Sequence, residues 1–379
     1  SKIVSDTTAE GMLDGHAVTI DPAAPDQPIL ALRMGLFRTT DHGKTWQDME
    51  VGRFSPTTYG RDVKISPSEP STLYAALSVA AASHDGGLYR SEDGGKTFGQ
   101  PFTVHDDRQI ITHRFESVAF DGQGQLFAVW VDKRDQVKAP DKPYAGAAIY
   151  RKVSRDGGKT FGPDQKLADH SCECCRIALA PDANGHMLAL WRNVFAGQIR
   201  DHALATLPVD NTPFAITRAT FSEWRVDACP HHGPALAVTA DGVRHMAWFS
   251  VQQDKPGLFY SRLSADGRPI GGAWAFAGSA QAGAQASHPA LLAADGALWL
   301  AWKQFADDHM QILLRKSTDG GAHWTAPVSL ARTDSGSDHP QLLARDGRIY
   351  LSWRTQAEGY RLIDVTQAVS ANATLEAAL

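Results

Sequence analysis

Cysteine is scarce in this chain, with four among 379 residues, which is too few to staple a fold of this length. Runs of Lys and Arg are also missing, and the formal charge is −5, so the electrostatic footprint of a nucleic-acid binder is absent. No apolar run approaches the ~20 residues that span a bilayer, which argues against a membrane-spanning helix. Ser1-Lys2-Ile3 is not the start of a signal peptide, so an exported location would place the signal ahead of this numbering. What remains, 43% hydrophobic and 21% charged residues, suits a folded domain with a large core.

The chain is organised as a repeat. One signature recurs as Thr39-Thr40-Asp41-His42-Gly43-Lys44-Thr45-Trp46, Ser91-Glu92-Asp93-Gly94-Gly95-Lys96-Thr97-Phe98, Ser154-Arg155-Asp156-Gly157-Gly158-Lys159-Thr160-Phe161 and Ser317-Thr318-Asp319-Gly320-Gly321-Ala322-His323-Trp324. Each copy reads as a tight turn with polar side chains able to bond its backbone and an aromatic that plugs into the core. Two worn copies, at Asp210-Asn211 and Ser264-Ala265-Asp266-Gly267, fill the long gap before the last. A second series marks the start of each unit near 16, 62, 116, 176, 233, 288 and 339, followed by a turn and a second strand that often ends in Trp, as at Trp130, Trp191, Trp248, Trp302 and Trp353. Short strands at this spacing predict an all-β, seven-bladed β-propeller spanning residues 1–379 as a single domain. The last unit lacks its own fourth strand, which is expected from Asn372–Leu375 or from Ser1–Val4 closing the ring.

The signature resembles the Asp box, or BNR repeat, of the sialidase-like β-propellers. Together with Cys172-Glu173-Cys174-Cys175-Arg176 and Asp227-Ala228-Cys229-Pro230-His231-His232-Gly233-Pro234, it is similar to a bacterial subgroup described as exo-α-sialidase-like. The resemblance covers the whole chain and implies the fold. It leaves function open, because such propellers include glycosidases, sorting receptors and assembly factors.

The chemistry-bearing residues gather at one end of the predicted units. Blade geometry places the seven unit starts around a central tunnel, so that His16, Asp62, Glu116, Arg176, His288 and His339 face it, with His113, Cys172, Cys174, Cys175, Cys229, His231 and His232 just above. Thiolates and imidazoles in one place select soft or borderline metals. The candidate ligands are Cys172, Cys174, Cys175, Cys229, His231, His232, His288 and His339, with copper favoured over zinc. In an extended segment, Cys172 and Cys174 point one way and Cys175 the other, so without a bulge two of the three share a face. A Cys172–Cys229 disulfide between successive units competes with metal binding. Asp132, Arg134, Asp135, Arg192 and Asp201 read as solvated loop charges, with a supporting role around the site as the other reading.

Three functions follow as expectations. The first is a periplasmic or secreted copper-dependent oxidoreductase acting on a small molecule oriented by Glu116 and Arg176. The second is a sialidase-type glycoside hydrolase, in which Glu116 and Tyr59 or Tyr144 would serve. The third is a non-catalytic propeller that binds a protein partner.

Overall fold

The computed structural model describes residues 3–4, 15–21, 24–66, 69–80, 83, 85–100, 103–109, 111–138, 146–226, 231–252, 254–277, 285–369 and 375–377. It forms seven antiparallel main sheets, the arrangement of a seven-bladed β-propeller. The chain divides into two compact units: 1–171 with 208–213 and 358–361, and 172–207 with 214–357 and 362–379.

In the first unit, β1 (Ile3–Val4), β2 (Gly15–Asp21), β3 (Ala24–Leu32), β4 (Gly35–Arg38) and β5 (Trp46–Asp48) make a sheet in the order β1-β5-β4-β3-β2. The second sheet is β6 (Tyr59–Ile65), β7 (Leu73–Ser78) and β8 (Gly86–Ser91). The third runs in order through β9 (His113–Phe120), β10 (Leu126–Asp132), β11 (Ala147–Ser154) and β12 (Gln165–Ser171), with the short helix α1 (Arg134–Lys138) between β10 and β11.

The second unit begins with β13 (Ala178–Pro181), β14 (Met187–Arg192), β15 (His202–Leu207) and β16 (Ile216–Arg218), then β17 (Ala235–Val238), β18 (Arg244–Gln252), β19 (Lys255–Leu263) and β20 (Pro269–Ala277). The sixth sheet joins β21 (Gln285–Ala294), β22 (Ala297–Ala306), β23 (His309–Ser317) and, past the hairpin strand β24 (His323–Thr325), β25 (Val328–Thr333). The seventh holds β26 (Gln341–Arg345), β27 (Arg348–Thr355) and β28 (Gly359–Asp364), and β29 (Leu375–Ala377) follows.

Among the described residues neither terminal segment completes the seventh sheet, contrary to the expectation from sequence; residues 1–2 and 372–374 of the expected strands lie outside them. Instead β1 pairs with β5, Val4 opposite Trp46, and β29 pairs with β24, Glu376 opposite Trp324. Both partners are three-residue strands that directly follow a tight turn and begin at or next to its plugging Trp. Pairing there covers edge backbone groups that would otherwise stay open.

The four turns share one hydrogen-bond set. In the second, Ser91 Oγ donates to Asp93 Oδ1 (2.8 Å), Gly95 N–H donates back to Ser91 Oγ (2.8 Å), and Thr97 bonds Asp93 through its N–H (2.9 Å) and hydroxyl (2.6 Å). His323 Nδ1, 2.7 Å from Asp319 Oδ2, replaces the threonine in the last copy. Hydrogen bonds from Thr45 and Thr160 hold the carboxyls of Asp41 and Asp156 down to about 2. Because these folded-state values lie below the ~3.9 of an unfolded Asp, the stabilisation is complete above that pH and is lost as pH falls through about 2. Acid unfolding followed by circular dichroism should therefore show Asp156→Asn flattening this part of the wild-type profile.

Gly321 adopts φ +77°, and a Cβ there would overlap the Tyr260 hydroxyl. Gly321→Ala is expected to lower the melting temperature markedly, since it adds a clash to a conformation that disfavours L side chains.

The second strands supply several of the largest core residues, alongside Trp46 and Trp324 of the turn strands. Trp191, Trp248, Trp302 and Trp353 are buried in the second unit, and each indole N–H finds an acceptor, such as Gln304 Oε1 at 3.0 Å for Trp302. Burying an indole while satisfying its one donor fixes each strand against its neighbours.

Candidate metal centre and flanking histidines

The Cys segment leaves β12 and turns at Glu173 and Cys174 instead of running extended. This overturns the two-on-a-face expectation: Cys172 Sγ lies 3.6 Å from Cys174 Sγ and 3.3 Å from Cys175 Sγ, and the three thiols lie within 4.8 Å of one another. All three are 1–2% exposed. These separations exceed the ~2.05 Å of a disulfide, so Cys172 is bridged to neither Cys174 nor Cys175. Hydrogen bonds from Cys174 and Cys175 push the Cys172 thiol well below its ordinary range, and donation to Cys172 pushes Cys175 up. Cys229, and with it the Cys172–Cys229 bridge, lies outside the described residues.

Arg192 anchors this segment. Its carbonyl accepts from Cys172 N–H (2.9 Å), while its guanidinium donates to the carbonyls of Arg200 (3.0 Å), Phe249 (2.7 Å) and His232 (3.3 Å). The side chain is fully buried, and Asp132, Arg134 and Asp201 are also buried, so the reading of these as solvated loop charges is wrong. Asp132 accepts from Trp130 Nε1 (2.8 Å) and Arg134 Nη2 (2.7 Å), and Arg218 pairs with Asp201. Asp135 is half-buried, accepting from Tyr150 (3.0 Å) and pairing with Lys166 (2.9 Å).

The candidate histidines of the second unit form a group of their own. His288 stacks on His339 with centroids 3.6 Å apart and 8° between planes, and His232 sits 4.9 Å from His288. An imidazole binds a metal in its ring plane, along a nitrogen lone pair, so two rings stacked face to face do not aim at one ion. Among the described residues these rings do not join the thiols in a ligand-spaced group. His231 is exposed and in the left-handed region at φ 55°, as is His288 at φ 51°, where β21 bulges against β22. Bulges of this kind re-aim side chains at sites. Burial pushes His232 down to about 4 and His288 to about 3, and holds His339 far below its usual value, so all three are neutral at pH 7. Arg176 is exposed and follows Cys175 directly; Gly233 packs against its backbone, where a Cβ would sit 3.0 Å from Arg176 Cβ.

In the first unit, Glu116 stands 3.6 Å from Arg61 Nε, and Arg61 Nε donates to Ser78 Oγ (3.0 Å). Both sit at bulges: Arg61 where β6 shifts register against β7, Glu116 beside Phe115 at φ 54° in β9. They border a cavity of about 110 Å³ that also takes in His113, His105 and Trp130. His16 is stacked on Tyr59 (5.0 Å) and engages the Gly60 carbonyl. Asp62 accepts from Val63 N–H (2.8 Å) and Val118 N–H (3.4 Å), bracing adjacent inner strands. His113 lies 3.4 Å from Asp132 and 3.7 Å from Asp107, a ligand-like spacing, but Asp132 already accepts from Trp130 and Arg134. Tyr144 lies outside the described residues. Sequence reasoning passed over Lys303, whose Nζ donates to Ser337 O (2.7 Å); nothing in the local pattern of β22 separates it from a solvated lysine.

No family model matches the chain, and no curated protein matches it. Among solved structures it is similar to a polysaccharide lyase described as an ulvan lyase of a new family (TM-score 0.54, 10% identity, 95% of this chain and 95% of that one). It is also similar to a second polysaccharide lyase (TM-score 0.53, 11% identity, 94% and 89%) and to a protein of unknown function from Dyadobacter fermentans (TM-score 0.52, 14% identity, 80% and 91%). At these identities the likeness establishes the β-propeller fold alone.

Proposed function

We propose that the chain is a metal-binding β-propeller in which Cys172, Cys174 and Cys175 hold copper as Cu(I). The observation that carries this reading is the convergence of three buried sulfurs within 4.8 Å. A metal–sulfur bond of ~2.3 Å sets ligand sulfurs roughly 3.8–4.0 Å apart, so closure around an ion needs the observed spacings to open by only a few tenths of an ångström. Soft thiolates select Cu(I) over harder cations, and three donors suit its low coordination number, whereas structural zinc takes four. On this reading the protein works outside the cytoplasm, and bound Cu(I), once oxidised to Cu(II) by an external acceptor such as dioxygen, would take one electron from a small molecule and return to Cu(I), with exposed Arg176 beside the cluster to orient that molecule. Metal analysis after separate reconstitution with copper and zinc tests the proposal. We expect about one copper per chain, displaced by neither excess zinc nor dialysis; retention of zinc in preference to copper would point to a structural site.

The cavity beside Glu116 favours a second reading, a glycoside hydrolase of the sialidase-like group, because a carboxylate paired with a guanidinium borders a space for a ligand. The structural turns, with their Ser/Thr–Asp bonds, support membership of the Asp-box propellers. Turnover of a fluorogenic sialoside that Glu116→Gln abolishes would establish it; absence of turnover in the wild type would remove it.

A further inference from the structure

The stacked imidazoles are a site whose electrostatics oppose a metal and suit the opposite charge. His232 precedes β17, His288 lies in β21 and His339 precedes β26, so the rings come from three successive sheets of the second unit. The Nδ1 atoms of all three are buried with no hydrogen-bond partner among the described residues. An unpartnered N–H costs more than an unpartnered lone pair, which places the ring proton on Nε2 in each. The rings are half-buried, and one His288 nitrogen is engaged by the His231 backbone, which leaves the Nε2–H donors of His232 and His339.

Two cations flank them. Lys303 pairs across the sheet with Ser287, next to His288, and its Nζ reaches Ser337, two residues before His339. Arg176 packs through its backbone against Gly233, next to His232. Lys303 and Arg176 both disfavour protonation of His288 and His339, and Lys303 and buried Arg192 give the surroundings a positive field for which Asp338 is the carboxylate found beside Lys303. A metal cation would meet repulsion here.

We infer that His232, His339, Lys303 and Arg176 form a binding site for a compact oxyanion. Two neutral N–H donors, a guanidinium and an ammonium offer directed hydrogen bonds and charge to such a ligand. The site uses none of the thiols and shares only Arg176 with the copper reading, so phosphate binding by metal-free protein is read separately from copper.

The test is calorimetric titration of inorganic phosphate into metal-free protein at pH 7, for the wild type, Lys303→Met, Arg176→Gln and Cys174→Ser. We expect saturable one-site binding by the wild type, weakened about tenfold or more in Lys303→Met and in Arg176→Gln, since a charged hydrogen bond is lost in each. Cys174→Ser should bind as the wild type does. Arg176 is exposed, so its variant reports even where Lys303→Met fails to fold. No saturable heat with the wild type, or wild-type affinity in the folded Arg176→Gln protein, overturns the inference.

Discussion

Cys174→Ser is expected to lower Cu(I) affinity by well over 100-fold, measured by competition with a chromophoric chelator on reduced protein. Losing an outer-shell partner alone costs roughly 10–100-fold, and here a sulfur donor itself goes. Cys172→Ser should be at least as damaging, because Cys172 is the sulfur on which the other two converge. The pH dependence follows from the thiol shifts. Since Cys175 is held protonated and must release its proton to bind, affinity should rise with pH across the neutral range, with protons released on binding. Equal affinity in all three single serine variants and the wild type would mean that copper binds elsewhere.

Arg192→Met is expected to destabilise the protein by about 3–5 kcal/mol, read as a lower urea midpoint with little change in slope. Its guanidinium, itself fully buried, bonds three carbonyls, and the methionine leaves all three without that donor. Lysine should rescue little, because one ammonium cannot reproduce a planar fork that reaches Arg200, Phe249 and His232 together. The variant should also loosen the Cys172 backbone, which hangs from the Arg192 carbonyl. A wild-type midpoint would show that these carbonyls find other donors.

The propeller was legible because its signals are local: Asp-x-Gly turns, alternating strands and a Trp in five of the seven second strands. Strand closure was not, since whether Ile3–Val4 covers β5 or the last sheet depends on long-range pairing that two residues cannot encode. The clustering of Cys172, Cys174 and Cys175 was half legible. Their proximity in sequence marked a site, but the turn at Glu173 that aims all three inward follows from the anchor on Arg192, twenty residues on. The role of Lys303 was invisible for a similar reason: Ser287 is its neighbour across the sheet and Ser337 lies on the segment before β26, and neither is near it in sequence. Burial of Asp132 and Arg192 ran against composition, because charged residues at strand ends are usually solvated, and these are held by specific partners instead.

X-ray absorption at the copper edge of the reduced, reconstituted protein bears most directly on the central claim. The account predicts about one copper per chain in a shell of sulfur near 2.3 Å, lost in Cys174→Ser. A first shell made of nitrogen or oxygen, or no retained copper at all, would contradict it and leave the three thiols as part of the core.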